Sequence, residues 1–487
     1  MTLHTLTNDA LRRALPSSVM AVVVGFSLVQ VSMANPHTGL LTPDVFGTET
    51  TLRARVGGFN DPLGRLCELP SGPLSFAAAV DLALCRNPAT RAAWASAREQ
   101  AAALGVAQSA WLPTVEVTGV NNSVSGQHVD ATSHWVDVTQ RSRDAAVNLS
   151  LTLYDFGGRE SRIQSAHHVL DAAALTANSV AQQTVLAVVQ SYYGAVAADD
   201  ALDAAQHTES VYAHSLEVAK SLQTGGVASL ADVLQVETAH GEAAVNRIQA
   251  SAAAKAAHGA LAVTLGLSAD QGLRLEKAIV PVTPPAFTAQ MADLMAEAAR
   301  QRPDLAAAQA ARDAAIADVT VARAVGRPRI SFGTSHSTVD TTGLTKQNYN
   351  TVGFSVTVPI FNGFSTAYGV RQAQAAVEAS EANVEQARLA VSLGVWNAYY
   401  GLTAANEGLV ATASLSKAAA SNEEVALGRY QSGVGSILDV LTAETGAATG
   451  RQLRINAERD WHLARAQLAL ALGRLTGAAP LSLSAQP

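Results

Sequence analysis

The sequence predicts a mainly α protein made of one unit written twice, each copy a β-hairpin joined to a pair of long coiled-coil helices. Three observations predict it: landmarks recur at a fixed spacing, two short windows alternate apolar and polar residues, and the remainder has helical periodicity. Tyr192-Tyr193-Gly194 returns as Tyr399-Tyr400-Gly401, Asp232-Val233-Leu234 as Asp439-Val440-Leu441, Glu237 as Glu444, and Leu265-Gly266 as Leu472-Gly473, always 207 positions on. Upstream, Asn87-Pro88 answers to Arg302-Pro303 and Pro113 to Pro328, at a spacing of 215. Self-similarity of this kind marks an internal repeat. The change of spacing falls between Pro113 and Tyr154 in one half and Pro328 and Phe361 in the other, so it belongs to a loop at a hairpin tip.

The elements follow in order. Arg12 and Arg13 precede an apolar stretch from Ala14 to Val31, and Ser32-Met33-Ala34 offers a small-x-small cleavage site, so residues 1–34 read as a secretory signal. The residue directly after that site is Asn35 and not cysteine, so lipid attachment is not expected. Residues 35–73 form an N-terminal extension. Its Cys67 and the later Cys85 are the only cysteines; they either pair in an oxidising compartment or stay as two thiols. Pairing is the favoured reading, and closing that loop would contribute roughly 3 kcal/mol. Repeat 1 spans 74–285 and repeat 2 spans 286–476, with a tail at 477–487. Each opens with shorter helices, about 74–110 and 288–325.

The hairpins come next, about 114–154 and 329–361. Val147, Leu149, Leu151 and Leu153 alternate with Asn148, Ser150 and Thr152, and Val352, Phe354, Val356 and Val358 with Gly353, Ser355 and Thr357. Period two means a strand with one apolar and one polar face. Thr114 to Val124 and Arg329 to Thr338 are the partners, and the polar stretches Asn121 to Arg143 and Ser337 to Asn350 read as their connections. Long helix pairs then fill 157–266 and 364–475. No proline interrupts Gly157 to Leu265, and apolar residues such as Val185, Val188, Val189, Tyr192 and Val196 keep helical spacing. A helix from Gly158 to Thr224 would run roughly 100 Å at 1.5 Å per residue.

Composition narrows the function. The 487 residues are 48 % hydrophobic and carry a net charge of −7, which argues against a nucleic-acid surface. No Gly-x-Ser-x-Gly, His-Glu-x-x-His or phosphate loop occurs, so an enzyme is not expected, nor a cofactor or metal. The histidines at 167, 168, 207, 214 and 240 read as solvated helix faces, and both tyrosine pairs as core wedges. An exported coiled-coil scaffold would explain the helices but not two alternating hairpins at matched positions. Strands of this length cross a bilayer when tilted. An open edge in lipid leaves backbone groups unpaired, and four strands cannot close, so copies must share one barrel. Three chains give twelve strands and a usable lumen.

The duplicated layout, the strand-to-helix turns Leu153-Tyr154-Asp155-Phe156-Gly157 and Pro359-Ile360-Phe361-Asn362-Gly363, and the two turns leading into Asp-Val-Leu resemble the TolC-type outer-membrane export channels. The resemblance covers about Leu74 to Leu475. It implies a homotrimer with a 12-stranded barrel in outer-membrane lipid, continued by a periplasmic α-helical tunnel. It also implies a periplasmic adaptor protein and an inner-membrane transporter as partners. The cysteine pair and missing lipid site resemble the type I protein-secretion branch, served by an ABC transporter, more than the lipidated drug-efflux branch, where a proton-driven pump is the alternative.

A closed state has a place in the sequence. Gly225-Gly226 and Gly433-Val434-Gly435 form the interhelical turns at the far end from the hairpins. Just beyond lie the repeat-equivalent Asp232 and Asp439, which either cap their helices or form carboxylate rings under threefold symmetry. By resemblance, Tyr430 and Asp232 match positions that lock neighbouring coils, and Asp439 matches the entrance acid. Gly435 stands where the best-known member has an arginine, and Thr442 where a second acid stands, which implies a weaker lock and a single acid ring.

Overall fold

The computed structural model describes residues 44–55, 67, 69, 72–129, 132, 134–276 and 290–475; the expected signal and C-terminal tail lie outside them. Two units divide between Val45 and Phe46, and every described helix and strand belongs to the second. In chain order these are α1 (Thr48–Arg55), α2 (Phe76–Arg86), α3 (Pro88–Ser109), β1 (Thr114–Val129) and β2 (Trp135–Tyr154). Then come α4 (Gly158–Thr224), α5 (Leu230–Thr264), α6 (Met291–Gln301) and α7 (Pro303–Ala324). β3 (Arg329–Thr341), β4 (Gln347–Thr357), α8 (Ser365–Gln431) and α9 (Ile437–Ala471) complete the fold. The duplication is visible in the bounds: α8 and α9 reproduce α4 and α5 residue for residue, 67 and 35 residues long in each half.

Each repeat breaks at its proline. Proline cannot donate a backbone hydrogen bond and pushes the preceding residue into extended conformation, so α2 stops at Asn87 and α6 at Arg302. The side chains at these breaks tie back to the end of the long helices: Asn87 Nδ2 donates to Thr264 O at 2.8 Å and Arg302 to Leu470 O at 3.1 Å. Tyr192 anchors the largest core cluster. It lies 2 % exposed among Val80, Val188, Val189 and Leu261, and its hydroxyl is shared by the carbonyls of Leu74 (3.0 Å) and Glu276 (3.1 Å). The second cluster gathers Val391, Val395, Leu402 and Leu468 around α6.

The four strands make one curled antiparallel sheet in the order β1-β2-β3-β4, leaving β1 and β4 as edges. The stretches read as polar connections are largely strand. β1 and β2 stay in register from Thr114↔Ser150 to Val129↔Trp135, and β3 and β4 pair out to Val339↔Gln347. Polarity misled because the ladder outlasts the apolar band: backbone pairing continues where neither face needs to be greasy.

Tyr192→Phe should lower stability by roughly 1–3 kcal/mol by removing the hydroxyl that bonds the Leu74 and Glu276 carbonyls, although Leu74 O keeps the Glu276 N–H. Denaturant unfolding monitored by circular dichroism would show it, and an unchanged midpoint would deny Tyr192 this tie.

Candidate functional site

The sheet has two unlike faces. Cross-strand rows place Val115, Leu149, Thr334 and Val352 together, and Val117 beside Val147; Phe332 pairs with Phe354 and Ile330 with Val356. Those on the outer strands are exposed, Phe354 at 72 % and Val117 at 75 %, while Leu149, Ile330 and Phe332 on the inner strands are half-buried, together a greasy band on one face of the sheet. Residues between them, Thr118, Asn148, Ser335 and Thr351, form the polar face. Apolar-out and polar-in alternation is what a lipid-embedded barrel wall needs.

Below the band each strand turns into a helix through two consecutive left-handed residues. Phe156 (φ 55°) and Gly157 (φ 86°) do this in repeat 1, Gly363 (φ 64°) and Phe364 (φ 65°) in repeat 2, the same pair in opposite order. A phenylalanine there is strained, and both are held by ring contacts, Tyr154 with Phe156 at 4.8 Å and Phe361 with Phe364 at 5.4 Å. Phe361 and Phe364 are exposed, as an interfacial aromatic belt would be. Trp111 instead lies under the Arg159 guanidinium, 4.1 Å from it.

The far end holds the interhelical turns. Gly226 (φ 81°) and Gly433 (φ 73°) are repeat-equivalent and adopt the left-handed conformation that ends each long helix. Gly225 and Gly435 do not; Gly435 is close-packed, since a Cβ there would meet Tyr430 N at 3.1 Å. Both aspartates complete capping boxes. Ser229 N donates to Asp232 Oδ2 at 2.9 Å and Asp232 N to Ser229 Oγ at 3.2 Å, and the Ser436/Asp439 pair repeats this at 3.2 Å in each direction. The Ser436 hydroxyl and backbone N–H, with help from the Arg429 charge, hold the exposed Asp439 carboxyl below the usual range. Tyr430 is buried among Ala219, Val233, Val236, Ile437 and Val440. Its hydroxyl finds no hydrogen-bond partner among the described residues. Burial and then the Asp232 charge push that phenol upward. Tyr430 and Asp439 thus stand on the α8–α9 turn and Asp232 on the α4–α5 turn, with Tyr430 packed against the start of α5. Elsewhere Cys67 and Cys85 are joined as a disulfide, Cα atoms 6.1 Å apart.

The seam between α4 and α9 carries groups that the sequence reading passed over. His462 stacks on Tyr193 with ring centroids 3.8 Å apart, and burial lowers its pKa to about 4, so it is a neutral aromatic wedge. Nearer the tip, Glu444 is 1 % exposed; Ser215 Oγ donates to its Oε1 at 2.5 Å, and Oε2 has no partner. Its signal was legible, an acid on the apolar stripe between Val440 and Ala447. His258 pairs with Asp199 at 2.9 Å on the α4/α5 face. The tyrosine pairs differ: Tyr192 and Tyr193 are core, whereas Tyr400 is 51 % exposed.

Burial, opposed by the Ser215 hydrogen bond and assisted by the Glu423 charge, raises the Glu444 pKa from 4.5 to about 7. With the folded value above the unfolded one, folding binds the proton; the stabilisation is complete below about 4.5 and lost as pH rises through 7. Glu444→Gln should therefore be more stable than the parent at pH 8, by on the order of 3 kcal/mol at most, and similar to it at pH 4. Thermal unfolding at the two pH values checks this; a constant difference would deny Glu444 the role.

With this geometry in place, comparison with known proteins is direct. The sequence profile described as outer membrane efflux protein matches residues 79–267 and 294–474, most of the chain and both repeats. Protein CyaE of Bordetella pertussis is 29 % identical over 449 residues, covering 91 % of this chain and 92 % of that protein. Among solved structures, the outer-membrane channel OprN superposes with a TM-score of 0.71 at 23 % identity, covering 85 % of this chain and 91 % of that one. The outer membrane protein VceC from Vibrio cholerae gives 0.70 at 16 % identity over 82 % and 96 %. The chain belongs to the outer membrane efflux protein family, outer-membrane channels of tripartite systems whose helices extend into the periplasm.

Proposed function

We propose that three copies of this chain close one 12-stranded barrel, continue as a helical tube, and serve as the passive conduit of a type I protein-secretion system. The observation that carries the reading is a stripe on α8. Leu389 (63 % exposed), Leu393 (59 %), Trp396 (47 %) and Tyr400 (51 %) lie on one helix face with no cover. Their repeat equivalents on α4, Gln182, Leu186, Val189 and Tyr193, are covered by α9 of the same chain, through His462 on Tyr193 and Gln182 Nε2 donating to Gly473 O at 3.0 Å. The positions equivalent to His462 and Gly473 are Lys255 and Gly266, on and just after α5. Repeat symmetry therefore calls for α5 of a second copy on each α8 stripe. The same operation sets β4 of one copy beside β1 of the next, and twelve strands leave a lumen where eight would be filled.

At the tube's end, Val227 (66 % exposed) and Val434 (71 %) crown the equivalent turns, an apolar surface suited to an adaptor protein, with the transporter behind it. The orphaned Tyr430 hydroxyl and nearby Asp232 support a closing contact at the tip, and Asp439 a ring of carboxylates. A capping aspartate still presents its charge, so cap and ring are compatible. The Cys67–Cys85 disulfide and the missing lipid site support the secretion branch with its ABC transporter. A second reading, small-molecule efflux driven by a proton-driven pump, is favoured by the family's own description.

Light scattering of the detergent-extracted complex should give about three chains of protein; a monodisperse single chain would end the shared-barrel reading. Tyr400→Cys with Lys255→Cys should form disulfides between copies, read on a non-reducing gel. Asp439→Ala should weaken cation preference in planar bilayers, and unchanged selectivity would remove the ring. Loss of one secreted protein from a strain lacking this chain, with drug susceptibility unchanged, would favour secretion over efflux.

A further inference from the structure

A cavity of about 560 Å³ opens where the sheet meets the helices. Ser150, Thr152 and Thr357 line it from the polar face of the sheet, so it lies on the side turned away from the greasy band. Arg159 and Arg162 enter from the first turns of α4, and Arg327 and Arg329 from the link between α7 and β3. Arg159 is structural: its guanidinium donates to the carbonyls of Ala110, Thr152 and Leu153 at 3.2, 2.7 and 3.0 Å. The other three face the cavity with no carboxylate. Arg327 meets only the Phe156 ring, and Arg162 and Arg329 have no partner among the described residues. Asp155, the one acid in the lining, accepts the Arg159 backbone N–H at 2.7 Å.

The fold does not require these charges. At the equivalent junction, Arg159 and Arg162 correspond to Thr366 and Gly369, and Arg327 and Arg329 to Leu112 and Thr114. A neutral set builds the same turn. Three unneutralised guanidiniums at one concavity with apolar walls focus a positive field, and their planar forks match oxyanions. We propose that this cavity is a binding site for clustered oxyanions, whether phosphates of a small polyphosphate or carboxylates of an acidic passenger segment. It goes beyond the conduit reading and holds for a single chain. Only the ring of three such sites around the lumen rests on threefold assembly.

Titration calorimetry on the full-length detergent-solubilised protein at low salt, with pyrophosphate and separately with a tetra-aspartate peptide, tests it. Pyrophosphate should bind at one site per chain, weaken steeply with added salt, and bind at least ten-fold more weakly to Arg162→Gln/Arg329→Gln. Arg388→Gln, a distant exposed arginine paired with Glu385, should bind as the parent does. Peptide binding lost in the same double variant would assign the site to acidic chains as well; pyrophosphate alone would restrict it to small phosphates. Absent binding by both probes, or equal weakening in Arg388→Gln, overturns the proposal. Because stoichiometry is read per chain, this result stands apart from the mass measurement that tests the trimer.

Discussion

Backbone amides and carbonyls have no water to turn to inside a bilayer, and the free edges of β1 and β4 are the constraint on which the rest of this structure depends. A sheet with one greasy face and two open edges is unstable as a lone object in lipid. The chain answers by being half of a symmetric argument, written twice in sequence. Each repeat contributes two strands and two long helices, so in the proposed ring the operation that relates repeats within a chain also extends across copies. The exposed stripe on α8 is then the helical counterpart of the exposed edge of β4. Both are surfaces whose complement exists elsewhere in the same molecule.

The junction between sheet and helices shows how two such different walls are joined. Arg159 gathers two carbonyls from the end of β2, Thr152 and Leu153, and the helix-end carbonyl of Ala110 under one guanidinium, while its flat face covers Trp111. Consecutive left-handed residues turn the chain without a long loop. Placing phenylalanine in one of the two positions costs conformational energy, yet puts a ring at the level where lipid gives way to water. The same place carries the unneutralised arginines, on the opposite face. Local strain and local charge are both concentrated where the wall changes its material.

Much of this was legible in the residues. The spacing of 207 between Tyr192 and Tyr399 is reproduced by the bounds of the long helices, because a helix start and stop depend on nearby turns and caps that the repeat copied. The strand windows were legible by period two, but their ends were not. Beyond Asn121 both faces turn polar, so periodicity vanishes while the hydrogen-bonded ladder continues to Val129. Burial was legible least. Tyr193 and Tyr400 are equivalent in sequence and opposite in exposure, and in the proposed ring the helix that covers the second lies in another copy. Glu444 and Glu237 differ in the same way. One-dimensional pattern records which face is apolar; it does not record which molecule supplies the cover.

That difference gives the two kinds of seam different physical character. Within a chain, α4 meets α9 through the stacked Tyr193 and His462, the Ser215–Glu444 hydrogen bond, and Tyr212 against Thr445. In the proposed ring, the seam between copies has Tyr400 facing Lys255, Asn422 facing Glu237, and Ala419 facing Thr238 at the equivalent positions. The first seam is aromatic, dry and built around a carboxyl that prefers to be neutral. Opening it would expose apolar area and leave Ser215 to find another acceptor. The second presents groups that water solvates readily, so its parting costs less and depends more on salt. Motion at the tip should therefore run along the seams between copies, each chain moving as a body on its own dry seam.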